Sequence, residues 1–473
     1  MSADLLAGIH LLVPARDFSW LALRTEWQNG KGPVNILFTP RAQGSVRFLG
    51  DRTFFLVLSG LFGLNSLPYH AAVLVTQVAN LVLLSAIAQR LTGSRTAAFL
   101  APLFWVANDA LAGPLSWLSA YNQVLCAFFI LLAFYSLLRY IDEGLRVFLY
   151  AQWAAFLLGF GALEINVVYP ALATGYTFLC ARRHVKHTLA LWIPSILFTG
   201  VHWWFIPKPT SGAYKLFLDG SIIDTFWLYW QWALGPKRLG LIKPVRSWFA
   251  PAGTALLTLA LLGFLVARAR KGDRLAIFGL WWFVVTLAPV LPLKNHISNY
   301  YLMLPAVGLS LWGAWAVAGV SRRPWPARGA AALAVLYFVS SIPVGFVVAE
   351  AHLIHGRQAK QFIYSVVDAQ QQHPGKTILL QGVDEELFWA AVFDEPFRLF
   401  SISKIYLAPG DAAPEQGVQW RSPAEYVYDP RQTVCELSTG QAVVYEVTET
   451  GVRDVTAQYY ATATQRWGPC EAS

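Results

Sequence analysis

Two carboxylates in polar segments are the residues of this chain best suited to acid–base chemistry. Asp17 begins an amphipathic segment in the first long polar stretch, residues 14–69, and Glu164 lies in a tight turn between two apolar stretches. A carboxylate held about 3 Å from a hydroxyl group can act as its general base. We therefore take Asp17 and Glu164 as candidate catalytic residues. The alternative for Glu164 is an ion pair with Arg47 or Arg52 from another loop.

Basic residues in the same set of loops could bind an anion. The planar fork of Arg matches phosphate oxygens, and Lys supplies a point charge. The alternative is a rim of basic residues that contacts lipid head groups, which we prefer for Lys237 and Arg238. The candidates for binding a phosphate are Arg47, Arg52, Lys294 and His296.

The composition places most of the chain in a membrane. Of the 473 residues, 56% are hydrophobic and only 13% are charged, whereas about 25% are charged in an average globular protein. The 20 Trp residues fit aromatic belts at helix ends. The net charge of +9 does not indicate a nucleic-acid partner, because the basic residues sit at helix ends and no RNA-binding, zinc or P-loop spacing is present.

Hydropathy predicts an all-α polytopic membrane protein with about 10–11 transmembrane helices and a small C-terminal soluble α/β domain. Residues 1–13 are apolar but shorter than the roughly 20 residues that a spanning helix needs, so we interpret them as a partial helix. The domain boundaries predicted are 1–67 for this helix and a first loop with amphipathic helices at 18–28 and 53–62, 68–349 for the bundle, and 350–473 for the C-terminal domain. The predicted spans are 68–89, 96–113, 121–138, 147–163, 166–181, 188–206, 250–267, 275–291, 300–320 and 329–349.

The distribution of Lys and Arg predicts the orientation of the bundle. One set of short loops is dense in these residues, whereas the short loops of the opposite set hold only Lys294. Basic short loops stay in the cytoplasm. The long loops and the C-terminal domain are therefore predicted to lie outside, which in a bacterium is the periplasmic side of the inner membrane.

The C-terminal segment reads as alternating helices and strands without a catalytic constellation. We predict helices at 352–372 and 384–392 and strands at 376–381, 400–407 and 442–447. Cys435 and Cys470 could form a disulfide there, while Cys126 and Cys180 fall in apolar stretches.

Several short motifs resemble the bacterial integral-membrane glycosyltransferases of the GT-C superfamily. They are RFLGDR from Arg47, LFGLNSLPYH from Leu61, QVAN from Gln77, RLTG from Arg90 and NYYLMLP from Asn299. The resemblance spans roughly residues 17–320. It is strongest toward the branch of the protein O-mannosyltransferases and the transmembrane TPR-containing mannosyltransferases. The chain departs from the usual pattern of that branch at Arg16, Phe48, Gln77 and Asn299.

The resemblance implies an inverting, hexosyltransferase-type enzyme that moves a sugar from a polyprenyl-phosphate carrier to a protein, glycan or lipid on the periplasmic face. It implies that Asp17 is the general base and that Glu164 orients a basic partner or the acceptor. We expect no cofactor and no tightly bound metal ion, although some relatives use a divalent ion. Residues expected to line the acceptor or sugar pocket are Trp20, His70, Asn299 and Tyr300.

Two other functions fit the same sequence. A transporter or flippase for a polyprenyl-linked glycan would keep ionisable groups inside the membrane and would show internal repeats or broken helices. The sequence shows neither, because its charges cluster at one face. A catalytically inactive membrane assembly protein, whose C-terminal domain binds a partner, is the other alternative.

Overall fold

The computed structural model describes residues 17–41, 45–206, 210, 212–320, 324–410, 423–448 and 451–470. The predicted partial helix at residues 1–13 falls outside these ranges. The chain divides into two compact units. We call residues 37–54 and 70–351 the helical unit, and residues 1–36, 55–69 and 352–473 the mixed unit. The change of unit at residue 351 lies close to the predicted domain boundary at residue 349.

The helical unit is built from apolar helices joined by short turns. Two of its helices begin or end in the mixed unit, because the changes of unit at residues 70 and 351 fall inside them. The helices are Leu67–Thr92, Arg95–Val106, Ala112–Ser116, Tyr121–Glu143, Arg146–Gly159, Tyr169–Cys180, Val185–Leu189, Trp192–Phe205, Ser221–Leu234, Pro236–Ile242, Phe249–Ala269, Leu275–Leu287, Met303–Val320 and Pro324–Gln372.

Among the described residues, six helices are long and apolar enough to cross a membrane, or seven if one bent pair counts as a single span. Three predicted spans fall on helices of only 14, 12 and 13 residues, namely Arg146–Gly159, Tyr169–Cys180 and Leu275–Leu287. At 1.5 Å per residue these cover about 20 Å of a hydrocarbon layer that is about 30 Å thick. Helix length therefore supports fewer spans than the 10–11 predicted, while the polytopic all-α architecture is confirmed.

The predicted span 96–113 is not one continuous helix. Its first part, Arg95–Val106, is followed by a second helical part, Asp109–Ser116, at an angle of 59°. Asn108 causes part of the break, because its side-chain oxygen accepts a hydrogen bond from the backbone N–H of Ala110. The prediction that the chain has no broken helix is therefore wrong.

Close helix packing builds the core of the helical unit. The helices Leu275–Leu287 and Met303–Val320 cross at Gly308, where an added Cβ would lie 2.6 Å from the backbone oxygen of Gly279. Small residues allow helix backbones to approach each other in this way. Around this crossing, Trp282 and Trp312 are almost fully buried.

The mixed unit contains a four-stranded sheet. Its strands are β1 Thr377–Gln381, β2 Ile405–Leu407, β3 Ala442–Thr448 and β4 Gly451–Asp454, in the order β2-β1-β3-β4. β1 is parallel to β2 and β3, and β4 is antiparallel to β3. The predicted strands at 376–381 and 442–447 are confirmed, whereas the one at 400–407 is reduced to β2 and β4 was not predicted.

Helices and one disulfide complete the mixed unit. Cys435 and Cys470 form the disulfide that the sequence allowed. Both predicted amphipathic segments of the first polar stretch are helical. Apart from Leu67–Thr92 and Pro324–Gln372, the helices with residues in this unit are Asp17–Gln28, Pro33–Phe38, Phe54–Phe62, Glu385–Ala391, Pro430–Ser438 and Thr456–Trp467, with 3-10 turns at Pro396–Phe400 and Pro423–Tyr426.

Candidate functional site

Glu164 pairs with Arg47, one of the two partners that the sequence allowed. The Nε of Arg47 donates to both carboxylate oxygens of Glu164, at 3.1 and 2.8 Å. Asp51 lies 3.8 Å from the same guanidinium and accepts a hydrogen bond of 2.9 Å from Asn122. We call Arg47, Asp51, Asn122 and Glu164 the Arg47 cluster. It joins residues that lie far apart in the sequence.

Two glycines allow the loops of the Arg47 cluster to meet. The backbone N–H groups of Leu49 and Gly50 both donate to the carbonyl of Gly161, at 2.8 and 3.1 Å. A Cβ at Gly50 would lie 2.8 Å from the Ala162 carbonyl, and one at Gly161 would lie 2.4 Å from the Phe48 ring. Larger residues would push the segments apart. The π-helical turn Phe48–Thr53 then places Asp51 one turn after Arg47.

Burial acts on the pKa of Asp51 and on the pKa of Arg47 in opposite directions. Burial raises the pKa of Asp51 to about 6, although Arg47 and Asn122 oppose the rise. Burial by itself would lower the pKa of Arg47, but Glu164 and Asp51 together raise it above its usual value. Arg47 therefore stays positively charged, and its side chain is 29% exposed. It is a cation that an anionic ligand can reach.

Arg52 is oriented differently from Arg47. It is fully buried, and its Nη2 donates to the backbone carbonyls of Thr39 and Ser45, at 2.5 and 3.2 Å. The guanidinium thus ties together the ends of the loop before the π-helical turn. Arg52 therefore stabilises that loop.

Lys294 and His296 lie in the segment that precedes the predicted NYYLMLP motif. Lys294 is 3.3 Å from Asp219 and lies over the ring of Phe217, at 3.9 Å from its centre. The Nε2 of His296 is 3.1 Å from the hydroxyl of Tyr300. Both side chains therefore already have partners within the helical unit, and the one at Lys294 is an exposed surface pair.

A second buried ion pair, between Arg238 and Asp109, was not predicted from the sequence. The Nε of Arg238 donates to Asp109 at 2.7 Å, and their side chains are only 11% and 2% exposed. Asn299 also hydrogen-bonds to the Asp109 carboxylate, and the Arg238 guanidinium stacks over Trp232 at 4.9 Å. The signal was present, because an Asp inside an apolar stretch indicates a functional or paired group. Arg238 was instead interpreted as part of a lipid-contacting rim.

The segment Asn299–Leu302 connects these groups. It packs against Asp109–Leu111, and Tyr301 lies close enough to Arg47 for the two to interact electrostatically. The structure thus brings Asn299, Tyr300 and the Arg47 cluster into one region of the helical unit. His70 is half-buried near the start of the helix Leu67–Thr92 in the same unit.

Asp17 and Trp20 belong to the mixed unit. Asp17 is fully buried in the first turn of the helix Asp17–Gln28, and Trp20 is half-buried one turn later. The buried side of this helix carries Phe18, Leu21 and Leu23 and packs against the 3-10 turn Pro396–Phe400. Asp17 is therefore a desolvated carboxylate on an anchored helix.

Metal-binding groups were also sought in the described part of the chain. No group of three or more His, Cys, Asp or Glu residues that could hold a metal ion occurs there. The expectation that the protein binds no ion tightly stays a prediction.

Comparisons with known proteins identify the fold. No protein-family model and no curated protein matches the chain. The crystal structure of ArnT from Cupriavidus metallidurans in the apo state matches with a TM-score of 0.53 and 14% identity, over 95% of this chain and 92% of that one. The structure of the same protein bound to undecaprenyl phosphate gives a TM-score of 0.48 at 15% identity, over the same shares of the two chains. ArnT is a GT-C glycosyltransferase, so the predicted GT-C-like fold is confirmed.

Proposed function

We propose that this chain is a membrane glycosyltransferase that moves one sugar from a polyprenyl-phosphate donor to a hydroxyl group of a protein, glycan or lipid. The observation that carries the proposal is the Arg47 cluster. It holds an accessible, permanently charged guanidinium between two carboxylates, in a chain with the GT-C fold. A cation held in this way is suited to a phosphate group that gains charge as its bond to the sugar breaks.

The reaction is a single displacement with inversion at the anomeric carbon. The acceptor oxygen forms a bond to that carbon while the bond from the carbon to the phosphate oxygen breaks. The proton of the acceptor hydroxyl passes to Asp17, and the electron pair of the broken bond stays on the polyprenyl phosphate. Asp17 is fully buried, so bulk water does not compete with an acceptor hydroxyl for its carboxylate.

The donor phosphate is assigned to Arg47, Lys294 and His296, with Arg52 supporting the loop that carries Arg47. Glu164 orients the Arg47 guanidinium through two hydrogen bonds. The acceptor or sugar pocket is assigned to Trp20, His70, Asn299 and Tyr300.

The protein is proposed to lie in the bacterial inner membrane with its C-terminal domain in the periplasm. The Cys435–Cys470 disulfide supports this side of the membrane, because disulfides persist in oxidising compartments and are rare in the cytoplasm. The partners are the polyprenyl-phosphate-linked sugar, the acceptor and the lipid bilayer, without nucleic acid. No metal ion or other cofactor is assigned to the reaction.

An Asp17→Asn variant tests the general base. In membranes supplied with radiolabelled polyprenyl-phosphate sugars, we expect it to lower the rate of transfer by roughly 100-fold to 10,000-fold, because the acceptor proton loses its base. Asp142→Asn is the matched control, since Asp142 is exposed and pairs with Arg90 away from the Arg47 cluster. We expect this control to keep full activity.

Three outcomes would count against the proposal. Unchanged transfer by Asp17→Asn excludes Asp17 as the base. A loss seen only with Asp109→Asn moves the base to another buried carboxylate and also contradicts the Asp17 assignment. No transfer by the wild type from any polyprenyl-phosphate sugar, in membranes that contain protein, glycan and lipid acceptors, overturns the enzyme proposal.

A flippase for a polyprenyl-linked glycan is the second candidate. The broken helix of Arg95–Val106 and Asp109–Ser116, with the buried Asp109–Arg238 pair at the break, favours it. Reconstituted vesicles with a fluorescent polyprenyl-linked glycan distinguish the two. A flippase makes the label on the inner leaflet accessible to a quencher without any new glycosidic bond, whereas a transferase produces the bond.

A further inference from the structure

A small cavity of about 160 Å³ lies in the mixed unit. It forms where the 3-10 turn Pro396–Phe400, the strand β2 and the 3-10 turn Pro423–Tyr426 come together. Phe397 lines the cavity and is buried, whereas Arg398 and Glu425 line it and are exposed. The cavity therefore has an apolar interior and a polar opening to solvent.

The volume of the cavity matches one six-membered ring. An engineered protein cavity of about 150 Å³ holds one benzene molecule, whereas sites for drug-sized ligands occupy roughly 300–1,000 Å³. A single monosaccharide unit fits if its ring lies inside and its hydroxyl groups lie at the opening. The ligand is therefore a small molecule or one unit of a polymer.

The polar part of the lining selects the chemistry of the ligand. Among the described lining residues, Glu395 and Glu425 carry carboxylates and Arg398 carries one guanidinium, so the net charge of the lining is −1. Arg398 pairs with Glu395 through its Nε. An ionised carboxylate accepts hydrogen bonds and donates none, so the ligand must supply donors. The net negative charge also disfavours an anionic ligand.

The apolar part of the lining requires a ligand that also has an apolar face. Phe397 and Tyr406 contribute aromatic rings, and Ile405 contributes an aliphatic side chain. Apolar walls with a few placed polar groups are the usual composition of a small-molecule site. A pyranose ring has both features, because hydroxyl donors surround its rim and C–H groups cover its faces. A hydrocarbon brings no donor for the two carboxylates, and a phosphate brings the wrong charge.

The backbone at this cavity has an uncommon conformation. Glu395, which lines the cavity, has a φ of 51°, in the left-handed region. This bend precedes the 3-10 turn and allows the Glu395 carboxylate to meet Arg398, three residues later. Such backbone persists only where surrounding contacts hold it, and it is concentrated at functional sites and ligand clamps. The conformation therefore occurs at a residue that supplies a polar group to the cavity.

The cavity also lies on the turn that anchors the helix of Asp17. The turn Pro396–Phe400 packs against the helix Asp17–Gln28, and Phe397 and Arg398 of that turn line the cavity. A ligand bound here is therefore held on the same element as the helix of the proposed base. The donor sugar stays on its lipid phosphate, which is assigned to residues of the helical unit. A sugar in this cavity is therefore assigned to the acceptor.

We propose that this cavity binds one neutral pyranose unit of a glycan, and that this glycan is the acceptor of sugar transfer. Glu395 and Glu425 accept hydrogen bonds from the hydroxyl groups of the unit, while Phe397 and Tyr406 contact its apolar face. The inference rests on the proposed function and selects a glycan from its three classes of acceptor.

Binding is measured on the full-length protein in nanodiscs by saturation-transfer-difference NMR. The probes are the methyl glycosides of glucose, galactose, mannose and N-acetylglucosamine, with glucuronic acid as the anionic counterpart and the peptide Ala-Lys-Ala as the protein-like one. We expect at least one neutral glycoside to bind and glucuronic acid not to bind. Absence of binding by every neutral glycoside overturns the proposal, and so does equal binding of glucuronic acid. Binding of the peptide alone assigns the cavity to a protein and also overturns it.

Glu425→Gln tests whether the glycoside binds in this cavity. We expect binding to weaken roughly tenfold, because hydrogen bonds to a charged carboxylate are replaced by weaker ones to a neutral amide. Glu446→Gln is the matched control, since Glu446 lies on β3, pairs with Arg453 and does not line the cavity. Unchanged binding by Glu425→Gln, or an equal loss in both variants, contradicts the assignment.

Inhibition of sugar transfer tests the role of the cavity in acceptor binding. In membranes supplied with radiolabelled polyprenyl-phosphate sugars, the glycoside that binds should compete with the glycan acceptor and slow transfer. In Glu425→Gln, roughly tenfold more glycoside should be needed for the same inhibition. A glycoside that binds in the cavity without slowing transfer overturns the acceptor role.

These results separate failure of this inference from failure of the proposed function. Transfer by a wild type that binds no neutral glycoside leaves the enzyme intact and removes the cavity as an acceptor site. Binding that Glu425→Gln weakens, in a protein that transfers no sugar, keeps the carbohydrate site and removes the enzyme together with the acceptor role.

Discussion

Arg47 is held by two carboxylates whose surroundings differ. The side chain of Glu164 is 26% exposed, whereas that of Asp51 is only 2% exposed. Burial raises the pKa of Asp51 to about 6, so part of its population carries a proton near neutral pH. The charge of the Arg47 cluster therefore changes with pH through Asp51.

Asp51→Asn should change how stability depends on pH. The folded pKa of about 6 lies above the ordinary aspartate pKa of 3.8, so the contribution of this group to stability is full below pH 3.8 and is lost as the pH rises through 6. Relative to the wild type, the variant should gain up to about 3 kcal/mol between pH 4 and pH 7. Thermal unfolding in detergent at both pH values measures this difference.

Asp142→Asn, at an exposed position, is the control for that measurement and should show the same pH dependence as the wild type. If Asp51→Asn follows the wild type equally closely, Asp51 does not titrate in this range.

At the scale of elements, the 3-10 turn Pro396–Phe400 anchors the helix that carries Asp17. Both lie in the mixed unit and pack against each other. The turn is bracketed by Glu395 and Ser401, two non-glycine residues with positive φ of 51° and 62°. Such backbone persists only where surrounding contacts hold it. Phe397 lies in this turn, is 4% exposed and packs its ring against Phe362.

Phe397→Ala should loosen the helix Asp17–Gln28. Removing this buried ring costs about 3–5 kcal/mol, and we expect faster amide hydrogen exchange across residues 17–28 together with slower sugar transfer. Phe388→Ala is the control, because Phe388 is fully buried against Phe393 and Tyr426 in the same unit. It should destabilise the sheet region and leave exchange across 17–28 closer to the wild type. The same exchange pattern in both variants would refute a specific anchor.

At the scale of the whole molecule, the disulfide reports the side of the membrane on which the C-terminal domain lies. It joins Cys435 in the helix Pro430–Ser438 to Cys470, across 35 residues of sequence. Cys126 is buried and Cys180 lies in another helix, so neither competes for this pairing in the described chain.

Acid-quenched cells should show Cys435 and Cys470 protected from a maleimide reagent until a reductant is added. Cys435→Ser should lower the stability of the mixed unit by about 2–5 kcal/mol, and a reductant should then have no further effect. Free thiols at both positions in the wild type would place the domain on the reducing side and contradict the predicted orientation.

The sequence by itself determined the features that depend on composition and local pattern. The low charge content and the long apolar stretches predicted a bundle of membrane helices, and local patterns of apolar residues predicted β1 and β3. These signals are local, because the solvation of each segment decides them. They did not reveal the break at Asn108, which depends on hydrogen bonds from one side chain to Ala233 and Tyr337.

Only the tertiary structure decided which charges meet. The sequence allowed either Arg47 or Arg52 as the partner of Glu164. In the structure, the backbone contact between Gly50 and Gly161 brings Arg47 to Glu164, whereas Arg52 donates to the backbone carbonyl of Thr39. The Asp109–Arg238 pair likewise joins residues 129 positions apart. Buried charges require partners, and these can lie far away in the sequence. No local sequence pattern predicts where two backbone segments approach closely enough for such an ion pair to form.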